Sequence, residues 1–151
     1  MSLIHEKLYK SDSISKLDFK EYVEELIGHI KGSYETQTDI DIKLNVQQVK
    51  YGIDTLIPLG LILNECISNS LKHSFEGIDK GSILVELNEQ EDGTVLIIQD
   101  DGIGADLSID ELKEESLGME LVWDLTEQLD GKVSLNTEKG FHYQFNFPAL
   151  K

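Results

Sequence analysis

The stretch Leu59-Gly60-Leu61-Ile62-Leu63-Asn64-Glu65-Cys66-Ile67-Ser68-Asn69-Ser70-Leu71-Lys72-His73 is too apolar for a surface helix and too polar for a plain core helix. Leu59, Leu61, Ile62, Leu63, Cys66, Ile67 and Leu71 cover most of a helical circumference, so both flanks are expected to be packed. Glu65, Asn69, Lys72 and His73 fall at i, i+4, i+7 and i+8 and share one face. A carboxylate, an amide and two potential cations on such a helix are costly unless something satisfies them. A ligand is one answer, and a narrow wet stripe on an ordinary amphipathic helix is the other. The surrounding sequence has to decide between them.

Upstream, Asp18 with Glu21 three residues later opens a helix expected to run to about Tyr34. Phe19, Tyr22, Val23, Leu26, Ile27 and Ile30 recur on it at helical spacing. Ile40, Ile42, Leu44 and Val46 alternate with polar residues, a half-buried strand. The central helix follows, with Thr55 or a neighbour expected as its cap and Pro58 in its first turn. Downstream of Gly77 the period becomes extended: two apolar runs flank Glu91-Asp92-Gly93, a hairpin signal. Residues 102 to 117 are acidic and begin with two glycines, a loop pattern. A helix from about Gly118 to Leu129 carries Leu121, Val122, Leu125 and Leu129 as its stripe. A second hairpin turns at Glu138-Lys139-Gly140. This order gives an α+β fold, a two-layer sandwich with helices on one face of a mixed, largely antiparallel sheet.

The chain of 151 residues fits one domain. Thirteen basic against twenty-nine acidic residues give a net charge of -16, and the pI is near 4.4. That field repels phosphate backbones and anionic bilayers, so neither nucleic acid nor a membrane surface is an expected partner. A nucleotide stays compatible if a divalent cation and local dipoles offset the charge. The single cysteine, Cys66, excludes an internal disulfide and reads as a core thiol. No apolar run reaches membrane-spanning length and no signal peptide opens the chain, which makes the cytoplasm the expected compartment of this domain, within a full-length protein that is membrane-tethered or free.

Two further motifs carry chemistry. Asp100-Asp101-Gly102-Ile103-Gly104 lies where a buried strand runs out into a loop; the glycines permit close backbone approach, and the carboxylate can accept from an amino group. Asp-Gly is also common turn chemistry. Ser116-Leu117-Gly118-Met119 opens a helix, whose free amides and positive dipole end suit an anion, with Ser116 as an ordinary cap in the bland reading.

Glu65-x-x-x-Asn69-x-x-Lys72-His73, Asp100-x-Gly102-x-Gly104 and Leu117-Gly118-Met119 resemble, in order and spacing, the N, G1 and G2 boxes of the GHKL ATP-binding superfamily. The resemblance covers residues 18 to 148 and implies the superfamily's Bergerat-type sandwich. Within the superfamily, ILNECISNSLKHSF looks most like the catalytic domain of bacterial sensor histidine kinases. Residues 1–17 resemble the tail of a helical dimerisation region, in which 1–3 are also compatible with a cloning remnant, and 18–151 resemble the catalytic domain.

The resemblance implies ATP and Mg²⁺ as ligands. Asn69 would ligate the metal, a hard amide oxygen suited to that ion, and Asp100 would accept from the adenine amino group. Gly102, Ile103 and Gly104 would shape the base pocket. Lys72 and His73 would meet phosphate or ribose oxygens, Ser116 to Met119 would line the phosphates, and Glu65 would orient a nucleophile. Phe141 stands where many members have a threonine, G2 keeps the single Gly118, and Asp106, Asp110, Glu111, Glu114 and Glu115 face only Lys113 in the loop between. Of the four histidines, His73 lies in the nucleotide site, His29 and His142 read as solvated or structural, and His5 falls on the second dimerisation helix, whereas the acceptor lies on the first. The expectation is a fragment without an acceptor histidine, acting on a histidine in dimerisation helices of the same, homodimeric kinase, with a response regulator downstream. An anti-sigma-type serine kinase and a non-catalytic nucleotide-sensing module are the alternatives.

Overall fold

The structure is a computed structural model that describes residues 16–33, 39–75, 77–104 and 117–151. The expected helical segment at 2–10, the acidic loop at 105–116 and the expected Ser116 cap lie outside these residues. The helices are α1 (Phe19–Ser33), α2 (Ile53–Asn69) and α3 (Leu117–Gln128). The strands are β1 (Leu17–Asp18), β2 (Asp39–Val46), β3 (Lys50–Tyr51), β4 (Lys80–Gln90), β5 (Gly93–Asp100), β6 (Lys132–Asn136) and β7 (His142–Phe147). Five strands make one sheet in the order β2-β4-β5-β7-β6, parallel only between β2 and β4, and β1 pairs with β3 in a small separate ribbon.

Period-two alternation sorts the sheet into two faces. Register aligns Leu44, Val85, Ile98, Tyr143 and Leu135 in one rung and Val46, Leu87, Leu96, Phe145 and Val133 in the next. The central members of both rungs are fully buried against the helices, whereas Lys43, Gln99, His142 and Asn136 lie on the opposite face. Phe141, Tyr143, Phe145 and Phe147 form a continuous file with ring centroids 6.0 to 6.2 Å apart. The next rung toward the loop pairs Ile42, Ile83 and Asp100, so the same alternation that buries Leu96 and Ile98 turns Asp100 inward at the end of the apolar face.

The α1 cap is as expected: the Glu21 amide donates to Asp18 Oδ1 at 3.0 Å. Three local expectations need correction. The residue before α2 is Gly52, whose carbonyl accepts from the amides of Thr55 and Leu56, so Thr55 is inside the first turn; Pro58 lies beyond that turn, buried within the helix. One flank of α2 is wet, because Ile57 and Leu61 are both more than 40% exposed. On α3 the buried stripe is Met119, Val122 and Leu125, and Leu121 faces outward; the stripe starts two residues earlier than the sequence suggested. Among the described residues no helix is long and apolar enough to cross a membrane.

Truncating Phe145 to Ala removes the middle of the aromatic file and should cost about 3–5 kcal/mol in urea unfolding, whereas Asp18→Ala should cost about 0.5–2 kcal/mol through the lost cap. Equal losses at the two positions would contradict this division between core and cap.

Candidate functional site

The polar stripe of the central helix does not continue straight. α2 ends at Asn69, and Ser70–Ser74 form a π-helical turn. A π turn takes more residues per revolution than an α turn, so α-helical spacing no longer predicts facing beyond Asn69. Glu65 is half-buried and Asn69 buried, while Lys72 and His73 are exposed on the wide turn.

What the π turn does is bring two hydroxyls to Asp100. Ser70 Oγ donates to Asp100 Oδ2 and Ser74 Oγ to Oδ1, each at 2.5 Å. Two amides complete the cradle: Gly102 N donates to Oδ1 at 2.9 Å and Phe141 N at 3.2 Å. A buried carboxyl group therefore receives four hydrogen bonds from three separate segments, which satisfy its oxygens at the edge of an apolar core. The Phe141 side chain is buried in the aromatic file, and this position reaches Asp100 through its backbone.

The two glycines of the loop are dictated by chain crossing. A Cβ on Gly102 would collide with the Ser74 carbonyl oxygen, and Gly104 has φ +72° with its Cβ position overlapping the Thr137 oxygen. Between them the Ile103 amide donates to Ser74 O at 2.7 Å, and its side chain stands 56% exposed beside the site. Asp101 turns the other way, accepting from Ser82 N and Oγ at 2.7 and 3.0 Å, which pins the strand end.

Asn69 meets the start of α3 from below. Its Nδ2 donates to the Met119 sulfur at 3.9 Å, and the Tyr143 hydroxyl donates to the same sulfur at 4.0 Å. Met119 is 2% exposed, so its side chain is a buried support beneath Asn69, while Gly118 beside it is half-buried. Burial pushes both the Cys66 thiol and the Tyr143 phenol well above their ordinary values, reinforced at Cys66 by Glu65 and at Tyr143 by Cys66 and Asp100. Both groups are neutral at neutral pH, and Cys66 is a packed thiol without nucleophilic character.

The structure thus gathers Asn69, Asp100, Gly102, Ile103, Gly104, Gly118 and Met119 around one end of the sheet, with Glu65 one turn back on α2 and Lys72 and His73 on the exposed turn. Of Leu117 only the backbone is described. Ser70, Ser74 and Tyr143 belong to the site and escaped the sequence reading. The available signal was the i, i+4 pair of small hydroxyls on the buried side of an apolar helix. A cavity of about 620 Å³ lined by Gly52, Asp54, Gln128 and Leu150 lies at the opposite end of α2, about 24 Å along the helix from Asn69. Among the described residues no cluster of His, Cys, Asp and Glu could hold a metal by itself.

Residues 54–151 match the family of histidine kinase-, DNA gyrase B- and HSP90-like ATPases, and residues 1–34 match a histidine kinase family model. The chain is 23% identical over 141 residues to the sensor histidine kinase PdtaS of Mycobacterium tuberculosis, covering 89% of this chain and 27% of that protein. It is 31% identical over 70 residues to the anti-sigma F factor of Priestia megaterium, covering 46% of this chain and 47% of that one. It thus spans less than half the length of either relative. The histidine kinase domain of a blue-light activated histidine kinase from Erythrobacter litoralis superposes with TM-score 0.84 at 18% identity, covering 97% of this chain and 70% of that one. The histidine kinase AdeS of Acinetobacter baumannii superposes with TM-score 0.72 at 16% identity, over 97% and 72% of the two chains.

Removing either serine hydroxyl should cost about 1.5–3 kcal/mol, the range for hydrogen bonds to charged groups. In urea unfolding, Ser70→Ala and Ser74→Ala should each show this loss, and the loss should shrink to under about 0.5 kcal/mol in an Asp100→Ala background. Unchanged losses in that background would show that the hydroxyls act elsewhere.

Proposed function

We propose that this chain, which belongs to the family of histidine kinase-, DNA gyrase B- and HSP90-like ATPases, is the ATP-binding catalytic domain of a sensor histidine kinase. The observation that carries the reading is the Asp100 carboxylate, buried and fixed by four donors at the mouth of the sheet, beside Asn69 and the first turn of α3. An ionised carboxylate only accepts, so it selects the amino edge of adenine and rejects the keto edge of guanine. Ile103, exposed next to it, offers an apolar wall to the base.

The donor set suits Mg²⁺ held mainly by phosphate oxygens and water. Asn69 supplies one hard amide oxygen, which matches an ion that takes few protein ligands and keeps several waters. When bound, the ion neutralises phosphate charge. We assign Lys72 and His73, exposed on the π turn, to phosphate or ribose oxygens, and the amides opening α3 at Leu117, Gly118 and Met119 to an anion at the helix N-terminus. Glu65 is the residue we assign to orienting the attacking group. The work of the site is then positioning and charge neutralisation, with the γ-phosphoryl delivered in line to a histidine of dimerisation helices in the same kinase. A homodimeric full-length protein, a downstream response regulator and a cytoplasmic site of action complete this reading.

The likeness to an anti-sigma F factor over 70 residues supports a second reading, transfer to a serine of a partner protein. The phosphorylated product separates the two, since a phosphohistidine is acid-labile and a phosphoserine is acid-stable.

Calorimetry with Mg-ATP should show binding that Asp100→Asn weakens at least about tenfold, the effect of about 1.4 kcal/mol, and γ-labelled ATP should label an added dimerisation domain in acid-labile form. Undiminished affinity in Asp100→Asn would refute the adenine assignment, and acid-stable label on a partner would favour the serine kinase.

A further inference from the structure

Asn69 presents two ends of nearly equal size, and only its hydrogen-bond partners decide which one faces outward. The partner below it is a thioether, which has lone pairs and no proton, so it accepts from the amide nitrogen and offers nothing to the amide oxygen. We propose that Met119 and Tyr143 are positioning residues for Asn69, holding its amide nitrogen inward so that its carbonyl oxygen is the atom offered to a nucleotide-bound metal. The inference rests on the reading of Asn69 as the metal donor.

Three elements meet at that sulfur. Asn69 closes α2, Met119 belongs to the first turn of α3, and Tyr143 lies on β7 within the aromatic file. Asn69 Nδ2 and the Tyr143 hydroxyl approach the sulfur at 3.9 and 4.0 Å, and all three side chains are buried. Tyr143 also interacts through its hydroxyl with Asn69 and Cys66, both of them buried. With the amide reversed, its oxygen would face the sulfur lone pairs and its partly positive nitrogen would face the cation, losing both interactions at once. The arrangement also makes the seat of α3 a condition for the metal donor's orientation: drawing Met119 away releases the amide.

The test compares nucleotide affinity with Mg²⁺ and with EDTA, taking the ratio as the metal-dependent gain. Met119→Leu conserves volume without the acceptor, and Tyr143→Phe keeps the ring in its stack without the hydroxyl. Tyr143→Phe should retain ATP affinity in EDTA within about twofold, and both variants should reduce the metal-dependent gain by about two- to tenfold, the size of one lost hydrogen bond; Asn69→Ala should remove that gain. An intact gain in both variants, with the gain lost in Asn69→Ala, overturns the positioning role alone. An intact gain in Asn69→Ala overturns the metal reading and this inference with it. Should a variant fail to fold, the unmodified chain still decides: the Asn69 side-chain NH₂ protons should exchange slowly with solvent by NMR, with and without Mg-ATP, and rapid exchange would contradict the inward-facing nitrogen.

Discussion

A carboxylate placed on the inner face of an apolar sheet has to be met by donors or the fold fails locally. Asp100 is met by Ser70, Ser74, Gly102 and Phe141, and each donor imposes a shape on the segment that carries it. The end of the central helix widens into a π turn at the two serines, and the loop after β5 folds back onto the same turn. The chain entering β7 lays its first amide against the carboxylate. One side chain thus fixes the relative positions of the helix layer, the loop and the sheet, and leaves an acceptor at the place where a base amino group would arrive.

The rest of the site is built outward from that anchor. The aromatic file along β7 is the floor, rigid because each ring stacks on the next. Above it the buried Met119 sulfur joins α3 to Asn69, so the proposed metal donor and the helix start proposed for the phosphates are supported from one point. The exposed Lys72 and His73 sit on the turn that holds Asp100, which couples the proposed phosphate contacts to the proposed base contact through a few residues of backbone. Net charge of -16 makes such local organisation necessary, since the molecule as a whole repels a nucleotide.

Most of the fold was legible because its signals are periodic and local. The strict alternation in Ile40 to Val46, the Asp18 cap and the Glu91-Asp92 hairpin each have a short-range physical cause, and the structure follows them. The errors arose where tertiary contact overrides local pattern. Gly52 takes the place expected for a cap at Thr55 or a neighbour, and Leu61 and Leu121 face outward although their neighbours are core. At the site, Asp100 and Asn69 stood out as polar groups in apolar settings. Ser70 and Ser74 offered only their i, i+4 spacing on the buried side of an apolar helix, because a serine in a helix announces no partner and the π turn that aims both hydroxyls at Asp100 is a tertiary feature. Tyr143 was hidden for the same reason, as one more aromatic in an alternating strand.

The most direct test of a nucleotide site at Asp100 is a backbone amide NMR titration of the chain with Mg-ATP. The largest shifts should fall on Gly102, Phe141 and the first turn of α3, and Mg-GTP should leave those amides in place. Shifts concentrated instead at Gly52, Gln128 and Leu150, or none at all, would contradict a nucleotide site built on Asp100.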